Sequence, residues 1–164
     1  MNNLVNITAA TGKRHFKINN PSHTLELWHV RITSADITGN IGSATYGGSI
    51  FIDNGGGELK LYYSEISGNK AYTGGAIYAK GDSQSNKNAK INIYNSVIKG
   101  NKVTNTGGVF TNAGGGIFAQ YTVTTIQDTT IDNNEADYDG AGIYISTSDV
   151  TMKNIIISNN DGGR

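Results

Sequence analysis

The chain has 164 residues, enough for one domain. Lys+Arg and Asp+Glu balance at 13 each, which argues against a nucleic-acid binder and gives no pull toward anionic lipid. Cysteine is absent, which excludes a disulfide framework, a thiol nucleophile and a cysteine-ligated metal. With 22 glycines, a single proline and no apolar run near the roughly 18 residues of a membrane helix, the composition is that of short strands and tight turns, with no membrane insertion.

Residues 1–24 break every later pattern and hold the one proline, Pro21, so they are expected to be an N-terminal cap or irregular lead-in. The opening Met1-Asn2-Asn3-Leu4-Val5-Asn6 has neither the basic nor the apolar region of a signal peptide, so a secreted protein would need a signal encoded elsewhere. From residue 25 to 164 two motifs alternate. The first, degenerate copy of one is LELWHVRITSA (25–35), with Ala35 in its last place. Next comes a small-residue cluster leading into a strand, GGSIFI (47–52), and then LKLYYSEISGN (59–69). The pair recurs as GGAIYA (74–79) with INIYNSVIKGN (91–101), GGGIFA (114–119) with TTIQDTTIDNN (124–134), and GAGIYI (140–145) with VTMKNIIISNN (150–160). Two polar excursions interrupt them, at 80–90 and 102–113, and the chain closes on Asp161-Gly162-Gly163-Arg164.

The side-chain period is 2. Leu59, Leu61, Ser64 and Ile66 fall on one side and Lys60, Tyr62 and Glu65 on the other, with the extra step before Ser64 marking a corner. Each repeat is read as three short strands and three corners. None can bury its apolar face alone, so copies must stack. The predicted fold is all-β, a right-handed single-stranded parallel β-helix of about five coils; right-handedness follows from the rule for parallel crossovers. Stacking should form interior columns Ile50–Ile77–Ile117–Ile143, Ile66–Ile98–Ile131–Ile157 and Ser64–Ser96–Thr129. Asn69, Asn101, Asn134 and Asn160 should turn inward at a corner and bond the coils above and below, a structural role.

The two motifs resemble the repeats of the chlamydial polymorphic membrane proteins, which pair a GG[A/I]-I element with an F-x-x-N element. Here they stand as GGSI, GGAI, GGGI and GAGI, and as Ile66-x-x-Asn69, Ile98-x-x-Asn101, Ile131-x-x-Asn134 and Ile157-x-x-Asn160, with Ile for Phe throughout. The likeness spans about 25–160, within the wider class of pectate-lyase-like β-helices. It implies an extracellular or cell-surface β-helix, in that family part of an adhesin, whose partners would be polysaccharide or a host cell-surface protein.

Enzymes on this fold need clustered carboxylates with Ca²⁺ and a base, or grouped Asp residues with a His. Here Arg14, Arg31 and Arg164 are scattered, His15, His23 and His29 lie near the start, and Asp128, Asp132, Asp137 and Asp139 fall on different corners. No catalytic residue, metal site or cofactor is expected. Two acidic turns, Asp53–Glu58 and Glu135–Asp139, read as ordinary polar turns. One column stands out: Phe51, Tyr78, Phe118 and Tyr144 share the outward position of the Gly-Gly strand, and Trp28, Tyr62 and Tyr94 repeat the idea on a second face. An open aromatic strip can stack on sugars, so Phe51, Tyr78, Phe118 and Tyr144 are the candidate ligand-binding residues. A ladder that only steadies the coils fits the same pattern. The function expected is a non-catalytic surface-exposed or secreted binding module of the adhesin type; a polysaccharide-active lyase or hydrolase or its remnant, and a purely structural spacer, are the alternatives. The last coil, with Ile155, Ile156 and Ile157, has no evident cover, and end-to-end self-association is expected there unless more chain covers it.

Overall fold

The computed structural model describes residues 4–39, 45–53, 56–83, 89–104 and 112–163. β1 (Val5–Thr8) opens the stack. The first coil is β2 (Phe16–Ile18), β3 (Thr24–Trp28) and β4 (Val30–Thr33). The second is β5 (Ile50–Ile52), β6 (Gly57–Tyr62), β7 (Glu65–Ser67) and β8 (Lys70–Ala71). The third is β9 (Ile77–Lys80), β10 (Ala89–Tyr94), β11 (Val97–Lys99) and β12 (Lys102–Val103). The fourth is β13 (Ile117–Gln120), β14 (Thr122–Gln127), β15 (Thr130–Asp132) and β16 (Glu135–Ala136), and the fifth β17 (Ile143–Ser146), β18 (Asp149–Lys153), β19 (Ile156–Ser158) and β20 (Asp161–Gly162).

Like strands pair only with like, and every pairing is parallel, so the chain is a parallel β-helix of five coils. The Gly-Gly sheet runs β2-β5-β9-β13-β17, the long-strand sheet β3-β6-β10-β14-β18, and the Ile-x-x-Asn sheet β1-β4-β7-β11-β15-β19. A fourth sheet, β8-β12-β16-β20, corrects the expectation of three strands per coil. Its members are two residues long, too short to show a side-chain period. Within residues 1–24, the stretch expected to be a cap or irregular lead-in, β1 pairs with β4 from Val5↔Val30 and β2 with β5 from Phe16↔Ile50. These early strands join the sheets without the Gly-Gly or Asn motifs.

The interior is a set of columns in register. Ile50, Ile77 and Ile117 are fully buried, with Ile143 packed against them at the end of the row. Ile32, Ile66, Ile98 and Ile131 form a second buried row, whose last member, Ile157, is half exposed. Each such Ile contributes about 1.5–3 kcal/mol by leaving water. The turn between the long strand and the Ile-x-x-Asn strand is made by His29, Tyr63, Asn95, Asp128 and Asn154, all at φ between 48° and 52°. Ser64, Ser96 and Thr129 follow three of these and close the turn. Each hydroxyl donates to the carbonyl two residues back, and each oxygen accepts the amide of the preceding coil, from Val30, Ser64 and Ser96.

Candidate functional site

The column chosen from the sequence is stacked as a ladder. Phe51–Tyr78, Tyr78–Phe118 and Phe118–Tyr144 have ring centroids 5.3, 4.8 and 5.0 Å apart. The rings point away from the coil interior, but they do not form the open strip that ligand binding would need and that a steadying ladder would not. Phe51, Tyr78 and Phe118 are only 3%, 8% and 6% exposed. Tyr46 stacks on Tyr78 at 4.9 Å, the Arg14 guanidinium sits 4.5 Å from the Phe51 centroid, and buried Ala113 joins the same cluster. The faces are used by neighbouring rings, and Tyr46 and Ala113 complete the cluster, so the column is a second core outside the first. Burial, with Tyr46 and Asp53 adding to it, drives the Tyr78 phenol well above its ordinary pKa.

The asparagines form a buried hydrogen-bond ladder. Oδ1 of Asn69, Asn101, Asn134 and Asn160 accepts the backbone amide of Ala35, Asn69, Asn101 and Asn134 respectively, at 2.9–3.0 Å. Each Nδ2 donates to the carbonyl of Ile32, Ile66, Ile98 or Ile131 in the coil before. This arrangement binds coil to coil.

The acidic turn at 53–58 and the aspartates at two corners are spent on the protein itself. Asp53 pairs with Lys17 at 3.2 Å, and Glu58 accepts from Asn92 at 2.9 Å and lies 3.6 Å from Lys60; Asn54 and Gly55 between them lie outside the described residues. Asp128 accepts from Asn154 and Gln127, and Asp132 from Ser158 and Asn159, which holds both carboxyls below their ordinary range. Among the described residues no three His, Asp or Glu side chains gather as a metal site would need. Of the two variable excursions, residues 84–88 and 105–111 lie outside the described residues, as does Arg164.

Exposed aromatic surface is found on the long-strand sheet. Trp28, Tyr62 and Tyr94 are in register on its outer face, with Trp28 stacked on Tyr62 at 4.1 Å and Tyr62 on Tyr94 at 5.3 Å. Beside them, on the positive-φ corner, His29 stacks on Tyr63 at 5.3 Å with planes 15° apart. Trp28 is 49% exposed and Tyr63 43%. Glu26 accepts from the Trp28 indole at 2.7 Å, and Lys60 and Asn92 follow Glu26 in register, so the rings are bordered by polar side chains. The corner pair was missed in the sequence. Its signal was there, as the dipeptides Trp28-His29 and Tyr62-Tyr63 at equivalent places.

Two stretches of the chain, 63–80 and 128–146, match the model of the Chlamydia polymorphic membrane protein repeat. Each match opens on a positive-φ corner residue, Tyr63 or Asp128, and runs through the Ile-x-x-Asn, fourth and Gly-Gly strands of the solenoid. The long strand, which carries Trp28, Tyr62 and Tyr94, lies outside the matched stretches. No curated protein and no solved structure matches the chain. At residues 63–80 and 128–146 the chain therefore carries the repeat of the Chlamydia polymorphic membrane proteins, set in a parallel β-helix.

Proposed function

We propose that the chain is a non-catalytic binding module of the adhesin type, displayed at the cell surface or secreted, with the long-strand sheet as its recognition face. The repeat supports surface display. One observation carries the choice of face: the double column Trp28–Tyr62–Tyr94 and His29–Tyr63 keeps its outer edges in water while the Gly-Gly column is covered. Exposed aromatic patches rimmed by polar groups are what interaction sites expose and what solenoid stability does not require. The partner is a surface glycan or a cell-surface protein.

Labelled protein is applied to intact cells and compared with Trp28→Ala/Tyr63→Ala and, as a control in the covered column, Tyr78→Phe. Binding that falls in the double variant, with its urea midpoint and that of the control little changed, supports this face. Binding that is unaltered places recognition elsewhere, and no binding by the parent protein leaves the spacer function. Protease shaving of intact cells tests display, which requires loss of the protein without lysis.

A further inference from the structure

The aromatic columns stop partway along the solenoid, and they stop on amides. In the corner column His29 and Tyr63 are followed by Asn95 and then Asp128; in the neighbouring column Tyr94 is followed by Gln127. We infer that this ledge binds one pyranose unit of a neutral saccharide, stacked on the free face of Tyr63. The inference rests on the binding-module reading and names its ligand.

Tyr63 meets rings only on the side of the preceding coil, Trp28 at 6.1 Å and His29 at 5.3 Å. On the other side the next corner residue is Asn95, about 4.8 Å along the axis, one strand spacing. A carboxamide is shorter than a phenol and offers no ring, so Asn95 does not continue the stack beyond Tyr63. Tyr63 is 43% exposed. A sugar ring set against that face makes carbon contacts near about 3.5–4.0 Å. Inside the ladder no sugar can enter, since Tyr62 and Tyr94 are already 5.3 Å apart. The stacking face thus exists only where the column ends.

The groups beside the ledge suit hydroxyls. The backbone N–H of Asn95 donates to the backbone carbonyl of Gln127 at 3.1 Å, while its side-chain carboxamide makes no hydrogen bond among the described residues, which leaves two donors and an acceptor for a ligand. Gln127 spends one amide hydrogen on Asp128 and keeps its carbonyl oxygen. The charges around the ledge are paired within the protein, Glu65 with Arg31 and Lys99, and Asp128 with the nearby field of Lys153, so the ledge has no strong bias toward a uronate or a sulfate ester. A site built to pair with hydroxyls rejects analogues that lack them.

Cellohexaose, mannohexaose, chitohexaose and a galacturonate hexamer are titrated by saturation-transfer NMR and by emission of Trp28, the one tryptophan of the chain and 6.1 Å from Tyr63. Expected is binding of a neutral oligomer with Kd near about 1 mM. It weakens about tenfold in Tyr63→Ala, several-fold in Asn95→Ala, and little in Tyr63→Phe or Tyr78→Phe. Tyr63→Phe keeps the ring and guards against a folding defect in Tyr63→Ala. The inference is overturned if only the galacturonate binds, if Tyr63→Ala binds as the parent does, or if none of the four binds. In the last case, cell adhesion that survives glycosidase and is lost on protease treatment of the cells assigns the face to a protein partner and leaves the module reading intact. Loss of both sugar and cell binding removes both.

Discussion

Oδ1 of Asn134 accepts from both the backbone amide and the side-chain Nδ2 of Asn101, each at 3.0 Å. The same Nδ2 lies 3.0 Å from the Ile66 carbonyl and 3.1 Å from that of Lys99, so one amide ties three coils and its own turn. Asn101→Ala strands these buried groups, together with the amide of Asn69 that Asn101 receives. The expected cost is about 1–3 kcal/mol by urea denaturation. Asn160→Ala is expected to cost less, because Asn160 is only part-buried in the last coil and water can replace its bonds. Equal costs would show that position in the stack does not matter and that the bonds do not act as a ladder.

The glycines divide by what lies beside them. A Cβ on Gly75 would stand 2.2 Å from the Gly115 carbonyl oxygen in the next coil and 2.9 Å from the Lys102 amide. Gly68, at φ +64°, has nothing within 4 Å. Gly75→Ala must push coils apart and is expected to cost about 3 kcal/mol or more, the upper end of overpacking. Gly68→Ala carries only the left-handed penalty, about 1–2 kcal/mol. Gly68→Asn is expected to be milder still, since Asn133 and Asn159 hold the equivalent place at φ 52° and 51°. Thermal denaturation of the three variants checks the order, and Gly75→Ala as mild as Gly68→Asn would contradict the close coil contact.

These two cases also show what the sequence made legible. Period 2, the recurring Asn and the Gly pairs located three sheets, their register and the inward columns, because each is a local requirement of strand or turn. The fourth sheet was not visible, since Lys70–Ala71 and its equivalents are two residues long. Nor were β1 and β2, whose partners were identifiable only once the coils were stacked. The side of the strand on which Phe51, Tyr78, Phe118 and Tyr144 lie followed from alternation. Their burial did not, because Arg14, Tyr46 and Ala113, which cover them, come from segments that do not repeat.

Glu65 gives the fold a pH dependence. Burial alone would raise its pKa, but the Ser67 hydroxyl at 2.8 Å, Lys99 at 3.2 Å and Arg31 at 3.3 Å outweigh it, and the carboxyl is held below its ordinary range. The folded value is the lower one, so the stabilisation is complete above the unfolded carboxylate pKa of about 4.3 and is lost as pH falls through the folded value. Glu65→Gln is expected to be less stable than the parent at pH 7. The gap closes on acidification to about pH 2, read by urea denaturation across the range. A gap constant with pH would mean that the charge of Glu65 contributes nothing.

The covered aromatic column should behave as core. Phe118 stacks on Tyr78 on one side and Tyr144 on the other, and Phe118→Ala is expected to cost about 3–5 kcal/mol, the usual figure for an aromatic removed from a packed interior. Tyr78→Phe keeps the stack and should cost little. Tyr78 also has an alkaline signature. Its folded pKa is raised by burial, then by Tyr46 and Asp53, while the unfolded chain ionises it near about 10. Its neutral form therefore favours the fold in full below the unfolded value, and this contribution is lost as pH rises from there toward the folded value. In a spectrophotometric titration Tyr78 should ionise only with unfolding. Tyr78→Phe should remove one late-titrating phenol and flatten the alkaline loss of stability. If Tyr78 ionises in the native protein without unfolding, or if Phe118→Ala folds with undiminished stability, the column is open to water and could serve as a binding strip after all.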